Sequence, residues 1–125
     1  MSRSFVVALA LMAAPCAALA HHSAIRFDLT IRDRMVTGVV KEFEPANPHT
    51  KIVLEITDEK GTRDVEFEGH SRNNMARQGL TPNLFKQGDT IAIRIAPMRN
   101  GEDGGYVTAV RGPDGTEVGR VTGAD

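Results

Sequence analysis

The stretch Thr50–Gly69, TKIVLEITDEKGTRDVEFEG, decides the fold. Ile52, Leu54 and Ile56 fall on one face of a period-two pattern, with Lys51, Glu55 and Thr57 partly opposite. Asp58-Glu59-Lys60-Gly61 reads as a hairpin turn, and beyond it Val65 and Phe67 alternate with Asp64, Glu66 and Glu68. Two antiparallel strands follow from that reading. Upstream, Met35 to Phe43 is rich in apolar and β-branched residues and gives a strand that precedes the hairpin. Downstream, Ser71 is placed to cap a short helix through Gln78, and Gly79 supplies its left-handed stop. Thr81-Pro82 starts one further turn, which Gly88 ends. Ile91, Ile93 and Ile95 then restore the alternation, and after a glycine-rich acidic loop, Arg99 to Gly105, the segment Tyr106 to Arg111 pairs with a short last strand near Thr116 to Arg120.

Three strands, a helix, then two or three strands is the order of an OB-like antiparallel barrel whose one short helix lies between the third and fourth strands. An immunoglobulin-like sandwich lacks the mid-chain helix. A ferredoxin-like fold needs a helix after its first strand, where this chain has only the loop Glu44 to His49. The barrel is assigned to residues 34–121, with an N-terminal arm at 21–33 and a tail at 122–125. Ile25, Phe27 and Leu29 suggest an added strand within the arm.

The segment Met1–Ala20 carries Arg3, an apolar run from Phe5 to Ala14 and the ending Ala18-Leu19-Ala20. This is the pattern of a signal peptide cut after Ala20, and its apolar run falls short of the roughly 20 residues that span a bilayer. The expectation is a periplasmic or secreted protein without a membrane anchor after cleavage. Cys16 follows Pro15, where lipidation wants a small flexible residue, so the cut after Ala20 is preferred. The mature chain would keep 105 of the 125 residues, lose its one cysteine, and move from a formal charge of -1 to -2 with the loss of Arg3. An ordinary apolar core must then hold it together without disulfides.

Near-neutral charge and few aromatics argue against nucleic acid as a partner, because strand-binding barrels need stacking rings over a basic groove. Phe43 and Phe67 fall at positions expected to face the core, and the scattered arginines are interleaved with acids. No G-x-S-x-G elbow, H-E-x-x-H helix, phosphate loop or dinucleotide fingerprint occurs, so the expectation is a protein that is not an enzyme. Glu66 and Glu68 share a strand face and read as solvated.

The histidines carry the chemistry that remains. Cleavage would make His21 the first residue, so that its amine and its own imidazole chelate one metal, and a third nitrogen from another histidine would complete a brace suited to Cu(II). His22 offers a rival mode through the amine, its own amide and its imidazole. His49, in the proline-stiffened Asn47-Pro48-His49 loop, and His70, just before the helix cap, are the candidate third ligands. The metal candidates are therefore His21, His22, His49 and His70, with copper as the cofactor. An oxidative copper enzyme requires open coordination positions in such a brace. The alternative is a metal-free module that takes a small ligand or a protein on the face formed by Glu44 to His49 and Met98 to Gly105, with the histidines in structural roles.

The start His21-His22-Ser23, the Asn47-Pro48-His49 loop, the strand end Phe67-Glu68-Gly69 and the run Leu84-Lys86-Gly88-Asp89 resemble a family of small exported bacterial proteins classed as a domain of unknown function. The likeness spans residues 21 to 120 and implies a signal peptide followed by a compact β-barrel. Here Ala46 and Thr50 flank the N-P-H where the family has aromatics, no tryptophan occurs, and His70 stands where glycine is more usual. No activity is implied by the resemblance.

Overall fold

The computed structural model describes residues 25–119. Residues 1–24, which include the expected leader and both His21 and His22, and the tail from 120 onward lie outside the described residues. Among the described residues, six strands and one helix follow in order: β1 (Arg34–Glu44), β2 (Thr50–Asp58), β3 (Gly61–Gly69), α1 (Arg72–Arg77), β4 (Thr90–Pro97), β5 (Gly105–Arg111) and β6 (Glu117–Val118). The sheet order is β3-β2-β1-β4-β5-β6, and a further pairing of β3 with β5 closes five strands into a mixed barrel. The mainly β architecture and the helix between the third and fourth strands are as the sequence leads one to expect. The closing β3–β5 contact, in which Glu68 stands opposite Tyr106, is parallel where an antiparallel barrel was expected.

Alternation builds the wall. Ile52 and Leu54 on β2, Val65 and Phe67 on β3, Ile91, Ile93 and Ile95 on β4, and Val107 on β5 all point inward and are buried. The hairpin register puts Ile52 opposite Phe67 and Leu54 opposite Val65, so both strands give their apolar face to the same interior. Its turn is fastened where Asp58 Oδ1 accepts the Lys60 N–H at 2.8 Å. Register shifts between Val40 and Glu42 on β1, and between Arg94 and Ile95 on β4, bend those strands in the way a small closed sheet requires.

The helix is short, and its capping explains where it starts. Ser71 Oγ accepts the Asn74 N–H at 3.3 Å, and α1 buries only Met75. Met75 joins Leu80 and Phe85 in the core cluster, so the segment between β3 and β4 seals one end of the barrel. Two main-chain bonds tie that end to the β1–β2 loop: Arg72 N–H donates to Ala46 at 2.8 Å and Thr50 N–H to His70 at 3.0 Å.

The arm departs from expectation. Among its described residues, 25–33, it adds no strand; Phe27 makes an isolated antiparallel bridge to Met98 and the flanking residues turn. Asp28 is the cause. Its Oδ1 accepts the Thr30 N–H at 3.1 Å and the Thr30 hydroxyl at 2.6 Å, while its carbonyl takes the Ile31 N–H, which is a local alternative to a sheet ladder. The arm nevertheless packs against the barrel, with Phe27 buried and the Thr108 hydroxyl donating to the Arg32 carbonyl at 2.6 Å.

Closure depends on glycine where β5 begins. A Cβ on Gly105 would lie 2.7 Å from Ile95 Cδ1 and 2.8 Å from the Ala96 carbonyl oxygen, and the second of these is backbone that cannot swing away. At Gly101, by contrast, φ is +77 and a Cβ meets nothing within 4 Å. Gly105→Ala should therefore destabilise the protein by roughly 2–3 kcal/mol, as overpacking does. Gly101→Ala should cost only about 1 kcal/mol of backbone strain. Urea titration of both variants checks this, with the larger midpoint shift expected at Gly105.

Candidate functional site

The closing contact of the barrel gathers chemistry-bearing side chains on its outer face. Along β3, Phe67 points inward, so Glu68 points outward, and His70 follows on the same side just past the strand end. His49 stands immediately before β2, whose first residue Thr50 pairs with Gly69. Two imidazoles are thus carried to neighbouring strand ends on either side of one carboxylate.

Glu68 is the centre of this cluster. Its side chain is only 19% exposed. Oε2 accepts a hydrogen bond from Arg26 Nη2 at 2.7 Å, which fastens the arm to the barrel wall. Oε1 is buried and accepts no hydrogen bond; His49 Nδ1 stands 3.3 Å from it, out of line for one. A buried carboxylate oxygen facing an imidazole is held by charge when that imidazole carries a proton, and asks for an N–H when it does not.

An aromatic wall supports the other side. His70 meets the Tyr106 ring edge-on at 5.0 Å between centroids, and Tyr106 meets Phe27 at 5.4 Å. Burial, followed by the negative charge of Glu68, pushes the Tyr106 phenol up to about 12, so it stays neutral and keeps its proton near neutral pH. Burial also lowers the His70 pKa, with the nearby His49 as the second cause. His70 is therefore a neutral imidazole at physiological pH, which is the state a metal or a proton donor can use.

The structure brings His49 and His70 together at one end of the seam. His21 and His22 are outside the described residues. Among the described residues no group of three or more His, Cys, Asp or Glu side chains is arranged to hold a metal ion. A metal at this place would need donors from the segment before residue 25. Sequence reasoning missed Arg26, Glu68 and Tyr106. Alternation alone puts Glu68 and His70 on one face two residues apart, a signal that was present, but taking Glu68 as solvated overlooked the arm and β5 that cover it. Three arginines, by contrast, are paired in the way a mixed surface requires: Glu117 takes both Arg94 and Arg111, and Arg63 takes both Asp58 and Asp103.

A model described as a family of unknown function, DUF6152, matches residues 8–108. Comparison with curated proteins and with solved structures gave no match.

The lowered pKa of His70 has a definite sign in stability. Its folded form resists the proton, whereas the unfolded chain takes it up near pH 6.5, so the contribution is fully present above that pH and is lost as pH falls through it. Replacing His70 with Asn should flatten the stability profile between pH 7 and 5 relative to the natural chain. Denaturant midpoints measured across that range check it; parallel profiles for the two proteins would show that His70 does not carry the effect.

Proposed function

The chain belongs to the DUF6152 family of unknown function, and we propose that it is an exported small barrel that binds one Cu(II), or a similar divalent ion, between its processed N-terminus and the outward imidazole of His49. The observation that carries this reading is the bond from Arg26 to Glu68, because the same carboxylate faces His49. Arg26 follows His22 by four residues, a span of at most about 14 Å of extended chain, and this short tether supports a meeting of the terminal histidines with His49 or His70. With Nδ1 3.3 Å from Glu68 Oε1, His49 has Nε2 left for a metal, and on binding the carboxylate would have only to draw in the Nδ1–H to hold the ring as outer partners of metal-bound imidazoles do.

The donor set is nitrogen-rich: a terminal amine, the His21 imidazole, and one neutral imidazole from the barrel. Such sets favour copper among the divalent first-row ions. The lowered pKa of His70 supports it as an alternative or additional donor, since it need not lose a proton to bind. Export is supported by the leader pattern of residues 1–20, and the family match begins at residue 8, inside the apolar run. The proposed role is binding; oxidative chemistry at the ion would need coordination positions left open.

Titration of a chain that begins at His21 with Cu(II), followed by calorimetry and electron paramagnetic resonance, tests the reading. One equivalent should bind with a nitrogen-dominated spectrum. His49→Ala should weaken binding by tenfold or more, and Glu68→Gln roughly tenfold by releasing the ring. A single residue added before His21 should weaken it strongly. If His22→Ala abolishes binding while His49→Ala leaves affinity and spectrum unchanged, the terminal peptide acts alone and the brace is wrong.

A further inference from the structure

Away from the Glu68 cluster the barrel opens into a cavity of about 220 Å³, between the start of β1, the β2–β3 turn and the β4–β5 loop. Its floor is the inner face of the barrel: Val36, Ile56, Phe67 and Ile95 all line it. Phe67 and Ile95 are buried, but Val36 and Ile56 are only partly so, which leaves apolar surface facing the opening. Cavities of about 150 Å³ with apolar walls accept a benzene ring, so this one has room for an apolar body of roughly six carbons.

The rim adds a charge preference. Arg63 is saturated: it donates from Nη1 to Asp58 Oδ1 at 2.8 Å and from Nη2 to Asp103 Oδ1 at 2.9 Å, so those three side chains neutralise one another as far as one cation can. The burden is shared by Lys60, which lies in the field of both aspartates. That leaves Arg34 and Glu102 on the rim, and neither side chain has a hydrogen bond or ion pair among the described residues. Arg34 belongs to β1, and its paired residue Ile95 is part of the floor. Glu102 belongs to the β4–β5 loop, on the far rim. The unpaired cation is thus the one built onto the strand wall beside the apolar floor.

We propose that this cavity binds a small carboxylate with an apolar body of about six carbons, its tail on Val36, Ile56 and Ile95 and its head paired with Arg34. A guanidinium matches a carboxylate in a two-point fork, which a neutral or cationic head cannot use. The site is independent of the metal reading, because it shares no residue with the Glu68 cluster.

Hexanoate, 1-hexanol and hexylammonium, each titrated into the purified chain with EDTA present, test it; the chelator removes any metal that would hold a carboxylate elsewhere. Hexanoate should bind at one site and shift the methyl resonances of Val36, Ile56 and Ile95, with hexanol weaker and hexylammonium weakest. Arg34→Glu should weaken hexanoate about tenfold and leave hexanol unchanged. Because Arg34 is exposed, that variant should keep its fold, which the dispersion of its methyl spectrum checks. Val36→Phe should reduce binding of both hexanoate and hexanol by filling the floor. Hexylammonium binding as tightly as hexanoate, absence of saturable hexanoate binding, or methyl shifts confined to other parts of the barrel would each overturn the proposal.

Discussion

The parallel contact between the end of β3 and the start of β5 is the constraint on which the molecule turns. Without it the five strands are an open sheet with two edges, and the inward residues of β3 and β5 lack the opposing wall that buries them. With it, Glu68 is brought opposite Tyr106 on the outside and Phe67 is sealed on the inside. The backbone near the contact is crowded enough that Gly104, with φ of +114, would place a Cβ 3.1 Å from the Glu66 carbonyl oxygen. One closure event thus creates both the core and the polar cluster outside it.

The elements legible in the sequence are those whose cause is local. The β2–β3 hairpin follows from alternation and a turn within twenty residues, and the helix start follows from a cap three residues before its partner N–H. The arm was misread because Ile25, Phe27 and Leu29 alternate as a strand does, while Asp28 between them offers the backbone a closer partner. His49 and His70 were identifiable as residue types. Their shared carboxylate was not, because the environment of Glu68 is made by Arg26, forty-two positions earlier, and by β5, far later. Burial of a strand-face acid depends on which strand closes the sheet, and no period within β3 records that.

The two ends of the barrel treat charge differently. At the mouth, Arg63 holds the Asp58 carboxyl down to about 2 and lowers Asp103 as well, first through hydrogen bonds and then through its charge. These are exposed groups, so the clamp fixes geometry more than it adds stability: it ties the β2–β3 turn to the β4–β5 loop and so shapes the opening of the cavity. At the seam, Glu68 is largely covered, has one oxygen bonded and one without a hydrogen bond, and faces an imidazole. The first arrangement is complete in itself. The second has an acceptor still to be satisfied, which is why the functional reading rests there.

The last strand has two residues, and it lies along β5 only at Val110 and Arg111, leaving the opposite end of β5 to meet β3. β5 therefore divides its outer edge between two neighbours, and the border left over is too brief to template a visiting chain. A copy approaching side-on would find a stub carrying Glu117, already engaged by Arg94 and Arg111, in place of a row of free amides and carbonyls. The same stub also turns Val118 toward the core, so two residues both occupy an edge and add to the interior.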